Sequence, residues 1–410
     1  MPSLSLPRVL HVIPSLAPRD GGPSVAAIEM CRSLTAAGVE TAIAATDADG
    51  SGRLPVVCGG WTTYKDVRTM FFPRQWSDAF KYSRPLARWL GEHVGDYDVV
   101  HAHAVFSHAP LAAARACVRG RVPYVIRPLG TLNPLAIESR RTAAKRLLWA
   151  VAARNAVRRA AAVHFTTDLE RRLVTTEIPM TNDVVVPLGA PEMPAAAGRD
   201  LMNFRSQFQL AHRPFVLAIG RLHPIKGLED LIDAFARVRA RMPFDDWRLV
   251  IAGDGDAAYR EKLKQRAAAD TSGIIFTGWL SGTAKTAAIR SAALVAVPSR
   301  QESFSFSAVE ALACGVPVLL SADVGLASEI QKGGAGWVVE RASDALGRTL
   351  ARVMQDQRGR SRAAAAAAAL GVSKFTWRRV ADDLVHLYEK IREAPAVPLE
   401  PRAARFHANR

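Results

Sequence analysis

Long apolar runs, cysteine pairs and acidic side chains are all scarce in this sequence of 410 residues. No run is long enough for a transmembrane helix, and prolines Pro7 and Pro14 interrupt the apolar stretch 4–16 where a signal peptide would be continuous. We therefore expect a cytoplasmic protein. The cysteines are too far apart for a zinc or redox pattern, so we expect reduced structural thiols. They are Cys31, Cys58, Cys117 and Cys314.

Basic side chains outnumber acidic ones, 54 Lys and Arg against 38 Asp and Glu, and the formal net charge is +16. Such a charge indicates a polyanion, an anionic membrane surface or acidic substrates as partners. No aromatic-interleaved basic strand and no helix-turn-helix pattern occurs, so nucleic acid is not expected. Basic residues are densest at 140–159, where they mix with apolar side chains such as Trp149. Peripheral docking on the inner face of the plasma membrane and an ordinary solvated helix are equal alternatives there.

Short β-branched runs alternate with alanine-rich helical stretches, which is typical of βαβ units and parallel sheets. The runs form two series, at 8–15, 40–46, 97–104, 124–128, 162–166 and 184–187, then at 215–220, 248–253, 274–277, 294–298, 316–321 and 336–339. A proline-containing connection at 189–214 separates them. We therefore predict an α/β protein of two doubly wound, Rossmann-like domains that face a central cleft. The predicted bounds are 1–195 and 196–375, followed by an amphipathic helix at 376–393 and a flexible tail at 394–410.

Two cations flank a tight loop at a predicted strand end in the second domain. Arg221 and Lys226 stand in the run G-R-L-H-P-I-K-G, which follows one strand and precedes a helix predicted to begin at Leu228. Arginine can hold two phosphate oxygens at once, and lysine adds a mobile point charge. The loop therefore predicts contact with a phosphate group.

Two carboxylates bracket a predicted helix start further along the same domain. Serines at the start of an apolar run indicate a helix N-terminus, a natural seat for a diphosphate. Glu302 is expected before that end and Glu310 about two turns into the helix, with up to ~12 Å of axial separation if most of the span is helical. Each carboxylate can then accept hydrogen bonds from one set of hydroxyls of a sugar nucleotide.

The spacing of G-R-x-x-x-x-K-G and E-x7-E closely resembles glycosyltransferase family 4 over nearly the whole chain. The resemblance implies the GT-B fold, with a C-terminal helix that crosses back to the first domain, an N-terminal acceptor domain and a C-terminal nucleotide-sugar domain. It also implies retaining transfer of a hexosyl group, without a divalent metal, from a nucleotide-diphosphate sugar. Where the family usually has glycine, this chain has Ser305, which puts close approach of the phosphate to the backbone in question.

The resemblance assigns a role to each motif residue. Arg221 and Lys226 are expected to contact the diphosphate, Glu302 the sugar and Glu310 the ribose, with Arg221, Lys226 and Glu302 also counted as catalytic. The remaining expected donor-binding residues are Gly21, Gly22, Gly278, Ser303, Phe304, Ser305 and Phe306.

Loops of the first domain are expected to supply the facing wall. Gly21 and Gly22 lie between a strand and a helix, where glycine lets backbone N–H groups approach a ligand. His101 and His103 point to one side of a strand, but no third zinc ligand has obvious spacing, so no metal is expected. By resemblance His103 is the catalytic candidate near the donor sugar, and His101 is structural. Arg127 and Asn133 follow the next strand and are expected to border the acceptor.

The sequence therefore predicts a retaining glycosyltransferase of surface-polysaccharide biosynthesis. Its expected partners are a nucleotide sugar and a saccharide or undecaprenyl-linked saccharide acceptor, with an anionic membrane surface as a further partner. Two alternatives stay open at this stage: a sugar-nucleotide epimerase of the same fold, and a non-catalytic polyanion-binding protein.

Overall fold

A computed structural model describes residues 6–76, 78–133, 142–241, 246–268, 273–340 and 344–393. Strands and helices alternate along most of the chain. The strands are β1 Val9–Ser15, β2 Thr41–Thr46, β3 Ala48–Asp49, β4 Gly52–Arg53, β5 Trp61–Tyr64, β6 Val67–Phe72, β7 Val99–His103, β8 Tyr124–Arg127, β9 Ala162–Phe165, β10 Asp183–Val185, β11 Phe215–Ile219, β12 Arg248–Ala252, β13 Ile274–Gly278, β14 Leu294–Val297, β15 Val318–Ser321 and β16 Gly336–Val339.

The α-helices fill the intervals between the strands. They are α1 Gly22–Ala36, α2 Arg84–His93, α3 His108–Gly120, α4 Thr142–Leu148, α5 Arg154–Arg158, α6 Asp168–Thr175, α7 Gly198–Gln207, α8 Leu228–Arg241, α9 Ala257–Ala267, α10 Gly282–Ser291, α11 Phe306–Ala313, α12 Ala327–Gly333, α13 Ala345–Gln355, α14 Gln357–Lys374 and α15 Trp377–Glu393. A π-helical turn, Trp149–Ala153, joins α4 to α5. Within the described ranges no helix combines the length and the apolarity needed to cross a membrane.

The described residues divide into two compact units. The first unit comprises 6–164, 180–184 and 383–393, and the second comprises 165–179 and 185–382. Segments 165–179 and 185–195, which the sequence assigned to the first domain, therefore group with the second unit. The tail at 394–410 lies outside the described residues.

The sheet of the second unit has the strand order β13-β12-β11-β14-β15-β16, with every neighbouring pair parallel. This is the order of a doubly wound dinucleotide-binding sheet, and the strand order reverses between β11 and β14. Both faces are covered, because Phe215 and Leu217 pack into one apolar core while Val216 and Ala218 pack into the other. Ligands of such sheets bind outside the carboxyl ends of the two strands at the reversal.

The sheet of the first unit has the order β10-β9-β8-β7-β1-β2-β6-β5. Strands β8, β7, β1, β2 and β6 run parallel, and β5 closes one edge as an antiparallel hairpin with β6. The sequence did not predict this hairpin, whose first strand is mostly exposed. The strand order reverses between β1 and β7, so their carboxyl ends form the corresponding position in this unit.

Helix α15 ends in the first unit. Its buried residues recur at intervals of three and four, as expected for a helix with one apolar face. Tyr388 is fully buried, and its hydroxyl lies 2.7 Å from Nδ1 of His101 on β7. The predicted return of this helix to the first domain is therefore present in the structure.

Candidate functional site

The loop after β11 holds the two predicted cations close to the end of β14. Gly227 has φ +65°, and a Cβ at this position would lie 2.1 Å from the carbonyl oxygen of Pro298. Only glycine fits this contact, so the K-G pair fixes the loop against the neighbouring strand. Lys226 extends from the loop to Glu302, and Arg221 is exposed with no hydrogen-bond or ion-pair partner among the described residues.

Glu302 is held on both carboxylate oxygens. Lys226 donates to Oε1 at 2.8 Å, and the buried hydroxyl of Ser299 donates to Oε2 at 2.7 Å. Its backbone is fixed as well, because the amide of Gly325 donates to its carbonyl oxygen at 2.7 Å. The side chain is only 13% exposed, so its position is well defined before any ligand binds.

Helix α11 begins immediately after Ser305, which caps it. The Ser305 hydroxyl accepts a hydrogen bond from the amide of Ala308 at 3.4 Å, and its φ of −110° lies in a region open to any residue. Serine in place of the family glycine is thus compatible with the backbone and supplies an N-cap. The free amides of the first turn remain available to an anion.

The predicted placement of Glu310 two turns into the helix is wrong. The helix starts at Phe306, so Glu310 stands about 6 Å along the axis from its first residue. The ~12 Å separation assumed a helical span from Glu302, whereas residues 302–305 are not helical.

Glu310 is buried and paired with a lysine that sequence reasoning missed. Lys285 of α10 donates to its Oε1 at 2.5 Å. Burial raises the pKa of Glu310, and Lys285 opposes that shift. Neither Lys285 nor Ser299 stands in a recognisable motif, although Ser299 is close enough in sequence to Glu302 to have been considered.

The loop that holds Arg221 and Lys226 meets the start of α11 where the strand order of the second sheet reverses. A cavity of about 20 Å³ at the carboxyl ends of β11 and β14 is lined by Gly220, Arg221, Lys226, Ser299 and Ser307, among others. The predicted phosphate loop and the α11 segment therefore come together in one unit.

The other predicted donor residues of the second unit also lie at strand ends or beside α11. The carbonyl oxygen of Ser303 accepts a hydrogen bond from the hydroxyl of Thr167 at 3.0 Å. Rings of Phe304 and Phe306 pack edge to face with centroids 5.7 Å apart. Gly278 ends β13, and its carbonyl accepts from the amide of Gly253 at 2.8 Å.

Predicted residues of the first unit lie around the reversal between β1 and β7. Gly21 has φ +68° and precedes α1, whose first residue is Gly22. Arg127 and His103 face each other in the register of β7 and β8, and both side chains are buried. Asn133 is also buried.

The structure supplies the third imidazole that the sequence did not reveal. The parallel register of β1 and β7 pairs His11 with His101, and His11 Nδ1 lies 3.0 Å from His103 Nε2. The three side chains are fully buried, and their candidate ligand atoms lie within 4.8 Å of one another. Sequence spacing did not point to His11, which the strand register brings beside this pair.

The charge around these imidazoles disfavours a metal ion. Burial is the largest cause of the lowered pKa of His11, His101 and His103, and it is the main reason that the pKa of His11 falls to about 3. Nearby Arg127 lowers all three pKa values further. Among the described groups that act on them, none is a carboxylate. A dication beside a buried guanidinium without an anionic ligand would be costly. The imidazoles form a buried network that also includes His164, 3.3 Å from His101.

Two family models match the chain, "Glycosyl transferase 4-like domain" over residues 21–189 and "Glycosyl transferases group 1" over residues 203–370. The D-inositol 3-phosphate glycosyltransferase of Salinispora tropica is 35% identical over 193 residues, 45% of this chain and 40% of that protein. The phosphatidyl-myo-inositol mannosyltransferase of Mycobacterium leprae is 33% identical over 211 residues, 50% of this chain and 55% of that protein. The chain spans about half the length of the curated relatives it matches.

Solved structures resemble the whole chain at low sequence identity. Anabaena HepE, crystallised with UDP and glucose, has a TM-score of 0.72 and 19% identity over 94% of this chain and 100% of its own. Sucrose-phosphate synthase from Thermosynechococcus elongatus has a TM-score of 0.73 and 19% identity over 94% of this chain and 99% of its own. These similarities show the GT-B fold. The two matched family models, which together span most of the sequence, show that the chain belongs to the GT4-type glycosyltransferases.

Proposed function

We propose that this protein transfers a sugar from a nucleotide-diphosphate donor to a saccharide or lipid-linked saccharide acceptor in surface-polysaccharide synthesis, with retention of anomeric configuration. The observation that carries the proposal is the pair of lysine-held carboxylates, Glu302 and Glu310, on either side of the α11 N-terminus. Support for the donor class comes from HepE, a structural relative solved with UDP and glucose.

Phosphate recognition is assigned to Arg221, Lys226 and the first turn of α11. Arg221 has no competing partner among the described residues, and guanidinium forks match phosphate oxygens. Lys226 already contacts Glu302, so one ammonium group lies beside both the expected sugar carboxylate and the expected diphosphate. Free amides at the helix start add partial positive charge on the same side.

The two carboxylates take different parts of the donor. Glu302 is partly exposed and accepts two hydrogen bonds, which leaves lone pairs for sugar hydroxyls. Glu310 is more deeply buried and suits the ribose hydroxyls, because a buried pair with Lys285 gives a fixed orientation. Gly21, Gly22, Gly278, Ser303, Phe304, Ser305 and Phe306 complete the proposed donor contacts.

The proposed chemistry is stabilisation of the departing nucleoside diphosphate. As the bond from the anomeric carbon to the diphosphate oxygen breaks, negative charge grows on that oxygen, and Arg221, Lys226 and the helix amides stabilise it. The acceptor hydroxyl attacks from the face that the diphosphate leaves and gives its proton to the departing diphosphate oxygen as the new bond forms. His103 is proposed to lie near the donor sugar, and Arg127 and Asn133 near the acceptor. No divalent metal is required by this scheme.

A donor screen tests the proposal. We expect at least one UDP, GDP or ADP sugar to stabilise the full chain against heat, by about 2.7 kcal/mol at a hundredfold excess over its Kd. Transfer should persist in EDTA, and NMR of the product should show the donor's anomeric configuration. If no nucleotide sugar shifts the melting temperature while a generic polyanion does, the binding-protein alternative is correct.

Single substitutions test the different roles proposed for Glu302 and Glu310. Glu310→Gln should weaken nucleotide binding about tenfold or more, because a hydrogen bond to a charged group contributes about 1.5–3 kcal/mol. Glu302→Gln should leave free nucleotide bound and reduce transfer. Asp233→Asn removes the carboxylate of an exposed ion pair with Arg266 in the same unit and should change neither property. Equal effects of the first two variants would contradict the assigned division.

A further inference from the structure

A second cavity lies in the first unit, between α3 and the segment 149–159. Its volume is about 200 Å³. Small side chains line it on both walls, Ala114 on one side and Ala152 and Ala156 on the other. The π-helical turn Trp149–Ala153 forms part of the wall opposite α3, and such turns are frequent at functional sites.

The cavity is at the opposite end of β8 from Arg127, one of the predicted site residues of the first unit. Tyr124, which lines it, is the first residue of β8, whereas Arg127 is the last. The two strand ends are about 10 Å apart. The cavity therefore belongs to neither the proposed donor residues nor the proposed acceptor residues, and an occupant would add a function to this unit.

Three arginines surround the cavity, and none of the described residues that line it is a carboxylate. Arg115 and Arg119 stand four residues apart on α3, on one face of the helix, and Arg159 completes the set from the other wall. None of the three side chains has an ion-pair or hydrogen-bond partner among the described residues. Like charges at this spacing repel one another, so a bound anion would relieve an existing cost.

The rim beside the arginines is apolar and exposed. Val151 lines the cavity with 70% of its surface exposed, and Leu147, one turn earlier, is 66% exposed. Deeper walls include Leu111 and Val118. A free phosphate would satisfy the guanidinium groups and leave these side chains in water. An amphiphile that carries a phosphate satisfies both.

We propose that this arginine pocket, formed by Arg115, Arg119 and Arg159 with Val151 at its rim, binds the phosphate of an anionic phospholipid headgroup in a bilayer. The guanidinium groups hold the phosphate oxygens, and Val151 and Leu147 enter the interfacial region of the bilayer. Three of the many basic residues of the chain would thus form one defined contact with a lipid phosphate. It would hold the first unit at a membrane surface by a site distinct from the transferase residues.

Vesicle co-sedimentation of the full chain tests the pocket. The pocket variant Arg115→Gln/Arg119→Gln/Arg159→Gln is compared with Arg146→Gln/Arg154→Gln/Arg158→Gln, which removes the same charge from exposed positions that do not line the cavity. With phosphatidylglycerol in the vesicles, the pocket variant should bind at least about tenfold more weakly than the control variant. Equal loss in both variants would assign binding to diffuse surface charge and overturn the proposal.

Soluble probes distinguish a lipid from a free phosphate. Short-chain phosphatidylglycerol below its micelle concentration should raise the melting temperature of the wild-type protein and not that of the pocket variant. Inorganic phosphate should give a much smaller shift. An equal shift with inorganic phosphate would replace the lipid by a small anion and contradict the proposal, as would unchanged vesicle binding in Val151→Ser. Circular dichroism of the pocket variant checks folding, and the nucleotide-sugar screen reports the transferase function separately.

Discussion

Acidification should destabilise the first unit, because its buried imidazoles stay neutral in the folded state. Burial, then Arg127 and His164, lowers the pKa of His11 from 6.5 to about 3. Above pH 6.5 neither state holds the proton, and His11 has little effect on the free energy of unfolding. Below it only the unfolded chain takes up the proton, so stability falls as the pH drops towards the folded pKa. At about pH 5 the loss from His11 alone is roughly 2 kcal/mol.

Neighbouring groups act in the same direction. Burial and nearby positive charge also lower the pKa values of His101 and His103, so their losses add to that of His11. The other titratable groups beside this network, from β9, α15 and α1, include His164, Tyr388 and Cys31. Burial raises the pKa of both Tyr388 and Cys31, so neither supplies a negative charge at neutral pH.

Calorimetry between about pH 5 and about pH 7.5, which can resolve separate transitions for the two units, measures this loss. The His11→Asn protein should be less stable than wild type near neutral pH. Its stability should also change less with pH, because its slope should be smaller than that of wild type by up to about 1.4 kcal/mol per pH unit. His386→Asn, on the exposed side of α15, is the matched control and should keep the wild-type slope. Identical slopes for wild type and His11→Asn would refute the reasoning.

Two further perturbations test the second unit by chemical denaturation. Gly227→Ala should destabilise it by about 2 kcal/mol or more, because φ is +65° and the new Cβ would meet the Pro298 carbonyl. The control Gly347→Ala, in an open helical position, should instead stabilise it by up to about 1 kcal/mol. A loss no larger than that of an ordinary surface substitution would show that the loop can move. Lys285→Met should cost about 3–5 kcal/mol because it leaves Glu310 buried and unpaired, and Lys285→Met/Glu310→Leu should recover most of that loss. An unchanged midpoint in Lys285→Met would show that the pair contributes nothing.

Much of the architecture was predictable because parallel strands that are buried on both faces appear in the sequence as short β-branched runs. Each predicted run has a counterpart strand in the structure, and the loop at Gly227 lies where its motif predicted. The hairpin β5-β6 was missed because its outer strand faces solvent and carries no apolar alternation. Helix α11 begins later than assumed, since Ser305 and not an earlier serine caps it.

The sequence by itself determined the motifs: two cations around a tight loop, two carboxylates eight positions apart and a serine that can cap a helix. These depend on local spacing, which the chain carries along its length. Only the tertiary structure decided the partners of those groups. Lys285 reaches Glu310 from another helix, and His11 reaches His103 through strand register. Three arginines, which have no partner within the described part of the chain, gather around one cavity. Such contacts depend on strand order and helix packing, which join residues far apart in sequence and leave no short-range pattern.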